Sequence, residues 1–283
     1  MSITPRQYDY FTVPGFFIQD DPSTDPNTAG SIPPRFGLID ESPERWTTFQ
    51  SKLDELNSQA AEGAKYKILF VARHGQGYHN LGSALYGKDA WDDYWRKLNG
   101  DGNIVWGPDP KLTELGISQA EVAHAAWKTE IPYGIPLPSL YSSPFSRAAS
   151  TLEITFKDIL LSTSPPARPF IIENLREIIG VSTCDKRDTK TYIANAYPGF
   201  DFEDGFTEED VLWHPDIRET NPEIQVRARA ALDQIFTRDS STFISITCHS
   251  RFGMNLLSVL GHRKYYLATG AVVPILVKAT PKS

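Results

Sequence analysis

The run YKILFVA at residues 66–72 constrains the fold more than any other feature of this chain. A continuous apolar run of this length is typical of a β-strand that is buried on both faces. Further strand-like runs follow at residues 138–143, 169–173, 242–248 and 271–277. A strand buried on both faces needs helices above and below it, so the segments between these runs decide the fold class.

Segments with helical periodicity separate the strand-like runs. The predicted helices cover residues 41–59, 116–129, 146–161, 222–237 and 254–261. This alternation predicts an α/β fold, a three-layer αβα sandwich with a mostly parallel central sheet. The last strand is predicted at a sheet edge, because Pro274 has no N–H to donate to a ladder.

Three segments fit the alternation poorly, although we expect residues 1–283 to form one domain. Residues 1–64 are predicted to be an N-terminal arm, irregular up to about residue 40, where Pro, Asp, Ser and Gly are frequent. Residues 77–112 and 181–221 are rich in aromatic and polar side chains. We interpret them as cap insertions that fold over the carboxyl ends of the strands.

Composition narrows the function classes. The chain has 283 residues and a net charge of −7, which argues against a nucleic-acid partner, since phosphate backbones demand a basic face. No apolar run is long enough for a membrane span, and the N-terminus lacks the pattern of a signal peptide. We therefore expect a cytoplasmic protein without a membrane partner. The sequence does not indicate an oligomeric state.

Chemistry-bearing side chains recur where the predicted strands end. His74 and His249 each come directly after an apolar run. Arg147 lies at the start of the helix after the 138–143 strand, and Glu177 follows the next strand. Because ligands of open α/β sheets bind at the carboxyl ends of the strands, these side chains are expected to meet at one rim.

This set of side chains suits a phosphate monoester. Guanidinium groups match phosphate oxygens, and histidine is a competent nucleophile toward phosphorus. A carboxylic acid can protonate the leaving group. Because arginines can stabilise the developing charge, we expect no metal and no cofactor, and the expected partner is a small phosphorylated molecule.

Five ordered motifs resemble the histidine phosphatase superfamily, in its phosphoglycerate-mutase-like branch, and the first is its signature Arg73-His74-Gly75 after a buried strand. RHGQGYHN at residues 73–80 is similar to fungal and plant members of that branch. The other motifs are LTELGISQA at 112–120, SSPFSRAAST at 142–151 and NLREIIG at 174–180. The resemblance extends from about residue 66 to residue 277, most of the chain.

The resemblance implies a role for each matching residue. His74 would be the nucleophile and form a phosphohistidine. Arg73, Arg147 and His249 would bind the transferring phosphoryl group. Glu177 would donate the proton to the leaving group. Its rival is the carboxylate four residues earlier, and the string LRE favours Glu177.

Further positions are candidate substrate contacts. The resemblance implies that Asn80 closes the phosphate pocket, and Gln76 is an additional candidate. Arg251 replaces the glycine usual in the family, so it either binds a second anionic group or points to solvent. Aromatic side chains of the insertions either hold an apolar leaving group or pack the cap: Tyr78, Trp91, Tyr94, Trp95, Trp106 and Trp213.

Two other departures from the family pattern are interpreted structurally. Cys248 stands where threonine is usual and is predicted to fill a small buried space. Lys186 and Arg187 are predicted to lie on a solvated turn.

The predicted function is hydrolysis of a phosphate monoester. Mutases of the family carry glutamine-serine and a nearby tryptophan where this chain has Gln76-Gly77-Tyr78-His79, so phosphatase activity is favoured over mutase activity. A non-catalytic scaffold that keeps the fold is a further alternative. The glycines at 75 and 77 also suggest a dinucleotide site, but Asn80 occupies the third glycine position of that fingerprint.

Overall fold

A computed structural model describes residues 5–282, and its centre is a seven-stranded mixed sheet. The strands are β1 (Tyr8–Thr12), β2 (Lys65–Arg73), β3 (Ser139–Ser142), β4 (Phe170–Ile171), β5 (Asp201–Phe202), β6 (Phe243–Cys248) and β7 (Val272–Pro281). Their order is β1-β7-β2-β6-β3-β4-β5. The five strands from β2 to β5 in this order run parallel, and β7 and β1 are antiparallel to their neighbours.

Helices connect the strands and lie on both sides of the sheet. They are α1 (Pro26–Ala29), α2 (Arg45–Ser58), α3 (Tyr78–Tyr86), α4 (Lys88–Asp93), α5 (Glu114–Glu130), α6 (Ser146–Phe156), α7 (Lys190–Ala196), α8 (Asn221–Arg238) and α9 (Ser250–Val259). Within residues 5–282, none of them has the length and apolar character needed to cross a bilayer.

The two faces of β2 explain the layer arrangement. Leu69 and Val71 belong to one apolar core together with side chains of α8 and α9. Ile68 and Phe70 belong to a second core together with side chains of α2, α5 and α6. Successive side chains of a strand point to opposite faces, so a fully apolar strand must be covered twice. The predicted α/β fold, a three-layer sandwich with a mostly parallel sheet, is confirmed.

The prediction that the last strand lies at an edge is wrong, because β7 lies between β1 and β2. Val272 donates its N–H to the Ser31 carbonyl and Leu276 accepts from the Val13 N–H, so both turn away from β2. Pro274 lies two residues from each of them, so its nitrogen also points away from β2. The pairing of β1 with β7 begins only at Val277. The N–H that Pro274 lacks is therefore not needed for any hydrogen bond of the sheet.

The N-terminal arm is also more regular than predicted, because it supplies the edge strand β1. Tyr10 of this strand is buried and donates its hydroxyl to Asp233 of α8 at 2.7 Å. The Tyr8 N–H donates to the same carboxylate oxygen at 3.1 Å. One carboxylate on α8 therefore fixes the arm against the edge of the sheet.

The two insertions differ in how they pack. In the first, Trp91 and Trp106 are buried with Cys184 of the second insertion and form a separate small core. Most of the aromatic side chains thus pack the cap itself. The second insertion is only partly a cap, because β5 pairs with β4 and Ile193 of α7 lies in a main core. The sequence interpretation of residues 181–221 as a cap alone was wrong on this point.

Tyr10→Phe should lower the free energy of unfolding, because it removes a hydrogen bond to a buried carboxylate. Burial and the hydrogen bond to Asp233 both raise the pKa of the Tyr10 hydroxyl, consistent with a protonated donor. We expect a loss of about 1.5–3 kcal/mol in urea titrations. Tyr192→Phe, at an exposed tyrosine, is the control and should change little. Equal stability of the two variants would contradict the proposed anchoring of β1.

Candidate active site

The carboxyl ends of three neighbouring strands bring two histidines together. Just past the end of β2, the His74 N–H donates to the Cys248 carbonyl at 3.0 Å, which continues the ladder to β6. On the other side, the Ser143 N–H donates to the Thr247 carbonyl at 3.0 Å. The rings of His74 and His249 therefore lie 4.9 Å apart between their centroids. Rigid strands, rather than mobile loops, set this distance.

The backbone around His74 fixes its ring. His74 Nδ1 lies 2.6 Å from the Gly75 carbonyl oxygen, so Nδ1 carries the proton and Nε2 is the free nitrogen. The Gly75 N–H donates to Thr151 Oγ1 at 3.0 Å. A Cβ at Gly75 would clash with the Gly116 carbonyl, since the loop runs directly against the first turn of α5. Glycine at position 75 is thus required by a close backbone approach.

The imidazoles of the site are held in the neutral form. Burial, followed by the positive charges of Arg147 and Arg73, places the pKa of His74 well below its usual range. Burial and the same arginines lower the pKa of His249 as well. His249 Nε2 lies 2.7 Å from the Ser143 hydroxyl, which orients that ring. A neutral imidazole keeps the lone pair that a nucleophile needs.

Arg147 is fully buried below the histidines and is only partly satisfied. Its Nη1 donates to the Cys184 carbonyl at 3.0 Å. The carboxylates of Asp109 and Asp185 lie 3.8 and 3.6 Å away, beyond hydrogen-bond distance. Burial raises the pKa of Asp109 to about 6 and that of Asp185 to about 7, against the opposing effect of Arg147. The guanidinium is therefore flanked by carboxylates that are themselves disfavoured as anions.

Unpartnered polar atoms concentrate around this guanidinium. Among the described residues, eleven buried side-chain nitrogen or oxygen atoms have no hydrogen-bond partner, and five belong to this site. These five are Arg73 Nε, His79 Nδ1, Arg147 Nε, Arg147 Nη2 and His249 Nδ1. Such atoms are costly unless a ligand meets them, and most of these are donors. The arrangement can bind an anion rich in oxygen acceptors.

A cavity of about 290 Å³ opens at this rim, and Glu177 lies on its wall. Glu177 Oε1 accepts the Phe252 N–H at 2.9 Å, and Oε2 accepts the Arg251 N–H at 3.1 Å. The carboxylate thus rests on the first turn of α9, and these two backbone hydrogen bonds fix its position on the cavity wall. His74 lines the same cavity, so the predicted nucleophile and this carboxylate share one space.

The rival carboxylate, Glu173, has a structural role. It accepts from Arg176 at 3.0 Å and from Arg187 at 2.8 Å. Arg187 is buried, so the prediction that it lies on a solvated turn is wrong. Lys186 lies over the ring of Trp213, with its Nζ 5.2 Å from the centroid. Cys248 is fully buried among apolar side chains, as expected of a small filler.

The four residues predicted to contact the substrate lie in three different places in the structure. Asn80 and Arg251 line the cavity, and Arg251 also donates to Asn221 at 3.1 Å. Gln76 lines a neighbouring cavity and accepts from Thr113 at 2.8 Å. Tyr78 packs against the tryptophan core of the cap and lines neither of these two cavities. It is therefore withdrawn as a substrate contact.

Sequence reasoning did not single out several residues of the site. Asp109, Asp185 and Arg218 come from the insertions, where no strand or helix pattern indicates which side chains point inward. His79 stands in the quoted motif, but nothing in its spacing distinguishes it from a surface residue. For Asp185, the only available signal was its position just after the motif that holds Glu177. Among residues 5–282, no group of three or more His, Cys, Asp or Glu side chains is arranged to hold a metal ion.

Comparison with known proteins finds a matching family profile and similar chains. Residues 69–265 match the profile of the histidine phosphatase superfamily (branch 1). A "Probable phosphoglycerate mutase" of Arthroderma benhamiae is 44% identical over 282 residues, which cover 95% of this chain and 84% of that protein. The "Probable phosphoglycerate mutase PMU1" of Saccharomyces cerevisiae is 39% identical, with 75% and 79% covered. A solved structure, "Mycobacterial hydrolase 1", is 18% identical at a TM-score of 0.47, with 77% and 98% covered.

Asp185→Asn should change how stability depends on pH. The pKa of Asp185 rises from 3.8 to about 7 on folding, so the folded state holds this proton more tightly. Its stabilising contribution is complete below about pH 4 and is lost as pH rises toward 7. The buried histidines act with the opposite sign, but equally in both proteins. The stability of wild type relative to the variant should therefore fall by on the order of 4 kcal/mol over this range.

Urea unfolding of both proteins between about pH 4 and pH 8 measures this difference. The stability of wild type relative to the variant should fall as pH rises to about 7 and then stay constant. A constant difference over the whole range would show that burial does not outweigh the nearby arginines at Asp185, and would contradict its raised pKa.

Proposed function

Because the chain belongs to the histidine phosphatase superfamily (branch 1), we propose that it is a phosphatase. The proposed substrate is a small-molecule phosphate monoester, and the proposed intermediate is a phosphohistidine on His74. The observation that carries the proposal is the pair of imidazoles 4.9 Å apart near Arg147, whose Nε and Nη2 have no partner among the described residues.

In the first step, His74 Nε2 attacks phosphorus and the bond to the leaving oxygen breaks. The hydrogen bond between Nδ1 and the Gly75 carbonyl supports this choice of atom, because it keeps the ring proton on Nδ1 and leaves the lone pair on Nε2. Arg73, Arg147 and His249 would bind the phosphoryl oxygens, and fixed donors of this kind stabilise the charge that develops there. The leaving oxygen takes its proton from Glu177, whose place on the cavity wall supports this role.

In the second step, water attacks the phosphohistidine. The phosphorus–nitrogen bond breaks, its electron pair returns to Nε2, and Glu177 takes a proton from the water. Arg251 and Met254 on the cavity wall are exposed, so water can enter at the mouth. This openness supports hydrolysis, since a mutase must keep its phosphohistidine dry.

The alternative is phosphoryl transfer between positions of a phosphoglycerate, which the names of the fungal relatives favour. A mutase passes the phosphoryl group to a bound acceptor. Addition of a monophosphorylated acceptor would then speed the loss of the phosphohistidine and yield an isomerised product. For the proposed phosphatase, inorganic phosphate is the product with or without the acceptor.

Release of phosphate from p-nitrophenyl phosphate by wild type and by His74→Ala tests the proposal directly. Wild type should turn the substrate over, and the variant should lose turnover because it lacks the nucleophile. Equal turnover in both proteins would exclude His74. No turnover in either, for this and for aliphatic phosphate esters, would favour a scaffold that keeps only the fold.

Glu177→Gln should slow the reaction in a way that depends on the leaving group. An aliphatic alkoxide needs a proton, so kcat/KM for glycerol phosphate should fall by about 10²–10⁴-fold. Nitrophenolate leaves without a proton, so p-nitrophenyl phosphate should be affected much less. Glu173→Gln is the matched control, because Glu173 pairs with Arg176 and Arg187. It should leave the ratio of the two substrates unchanged.

Two results would contradict the role of Glu177. One is an equal loss on both substrates in Glu177→Gln. The other is a leaving-group-dependent loss in Glu173→Gln instead.

A further inference from the structure

A third imidazole, that of His79, lies in the cavity and has no part in the mechanism above. His79 is the second residue of α3 and lines the cavity together with His74. Its ring centroid lies 5.4 Å from that of His74, close to the 4.9 Å that separates His74 from His249. The nucleophile therefore has two imidazole neighbours at similar distances.

The ring of His79 carries a polar atom that is unsatisfied in the described part of the chain. His79 Nδ1 is shielded from solvent and, among the described residues, has no hydrogen-bond partner. The other unpartnered atoms of the site belong to Arg73, Arg147 and His249, the side chains that are proposed to bind the phosphoryl group. His79 shares their unsatisfied state. Its Nδ1 lies against Gly77, so the ring nitrogen that can meet a ligand in the cavity is Nε2, which has no hydrogen-bond partner among the described residues.

The local backbone is built around this ring. A Cβ at Gly77 would lie 2.8 Å from both Cε1 and Nδ1 of His79, closer than real Cβ contacts. Any larger residue at position 77 would thus push the imidazole out of place. The Gly77 N–H is bound by Asn80 Oδ1 at 3.0 Å, which fixes the turn that presents His79 to the cavity.

The charge state of His79 suits a neutral hydrogen-bond donor. Burial, together with Arg147, His74 and Arg73, lowers the pKa of His79 well below its usual range. A neutral imidazole carries one N–H, and it can donate to an anion without adding a further cation beside the two arginines.

We propose that His79 is a further phosphoryl-binding residue, whose ring donates a hydrogen bond to an oxygen of the phosphoryl group on His74. The inference rests on the proposed function and extends the ligand set from Arg73, Arg147 and His249 to a third imidazole. It also explains why position 77 is a glycine, since the absence of a side chain there leaves room for the His79 ring.

The test measures the affinity for inorganic phosphate by isothermal titration calorimetry, with wild type and variants at neutral pH. His79→Phe keeps a ring but has no donor, and it should weaken phosphate binding by about tenfold or more. His79→Gln keeps a donor and should recover part of the loss. His124→Gln is the matched control, because His124 is a buried histidine bound to the Thr155 carbonyl and does not line the cavity. It should bind phosphate like wild type.

Equal phosphate affinity in wild type, His79→Phe and His79→Gln would overturn the inference, even if turnover falls. Thermal unfolding of each variant checks that the fold is kept, and the glutamine variant keeps the test decisive if the phenylalanine variant does not fold. Failure of the proposed function has a different signature. In that case wild type itself would neither bind phosphate nor release it from esters.

Discussion

The buried guanidinium of Arg147 is the group on which the rest of the site depends. It is fully buried, and within residues 5–282 only its Nη1 has a hydrogen-bond partner, while two nearby carboxylates lie too far away to satisfy the other nitrogens. Burial lowers the pKa of His74 and of His249, and the charge of Arg147 lowers it further. One side chain thus contributes to the proposed anion site and helps to keep the proposed nucleophile neutral.

The sheet and the cap hold this guanidinium from opposite sides. Arg147 stands at the start of α6, after β3, which is the neighbour of β6 in the sheet. The acceptor of its single strong hydrogen bond, the Cys184 carbonyl, belongs to the second insertion. Cys184 itself packs in the tryptophan core of the cap. The cap therefore supports the proposed phosphate site through its packing, since Cys184 lies among the aromatic side chains of the cap.

The sequence allowed prediction of the parts of the site that follow regular structure. His74 and His249 were predicted to meet because both end a buried strand, and the parallel ladder brings them together. The carboxylates of Asp109 and Asp185 were not predicted, since they lie on irregular segments and meet Arg147 only through tertiary packing. The position of Pro274 was misjudged because the rule about proline concerns one side of a strand, and β1 begins beyond it. The burial of Arg187 depends on Glu173, fourteen residues away and on another segment, which no local pattern reveals.

The most direct test of the account is to trap the intermediate. Wild type and Glu177→Gln are mixed with p-nitrophenyl phosphate, quenched within the first turnover under alkaline conditions, and digested. The mass of the peptide that contains residues 73–80 is then measured. The account predicts the added mass of one phosphoryl group on His74, formed as fast as nitrophenolate is released. Release of nitrophenolate with no phosphoryl group on this peptide, or with the group on another residue, would contradict it.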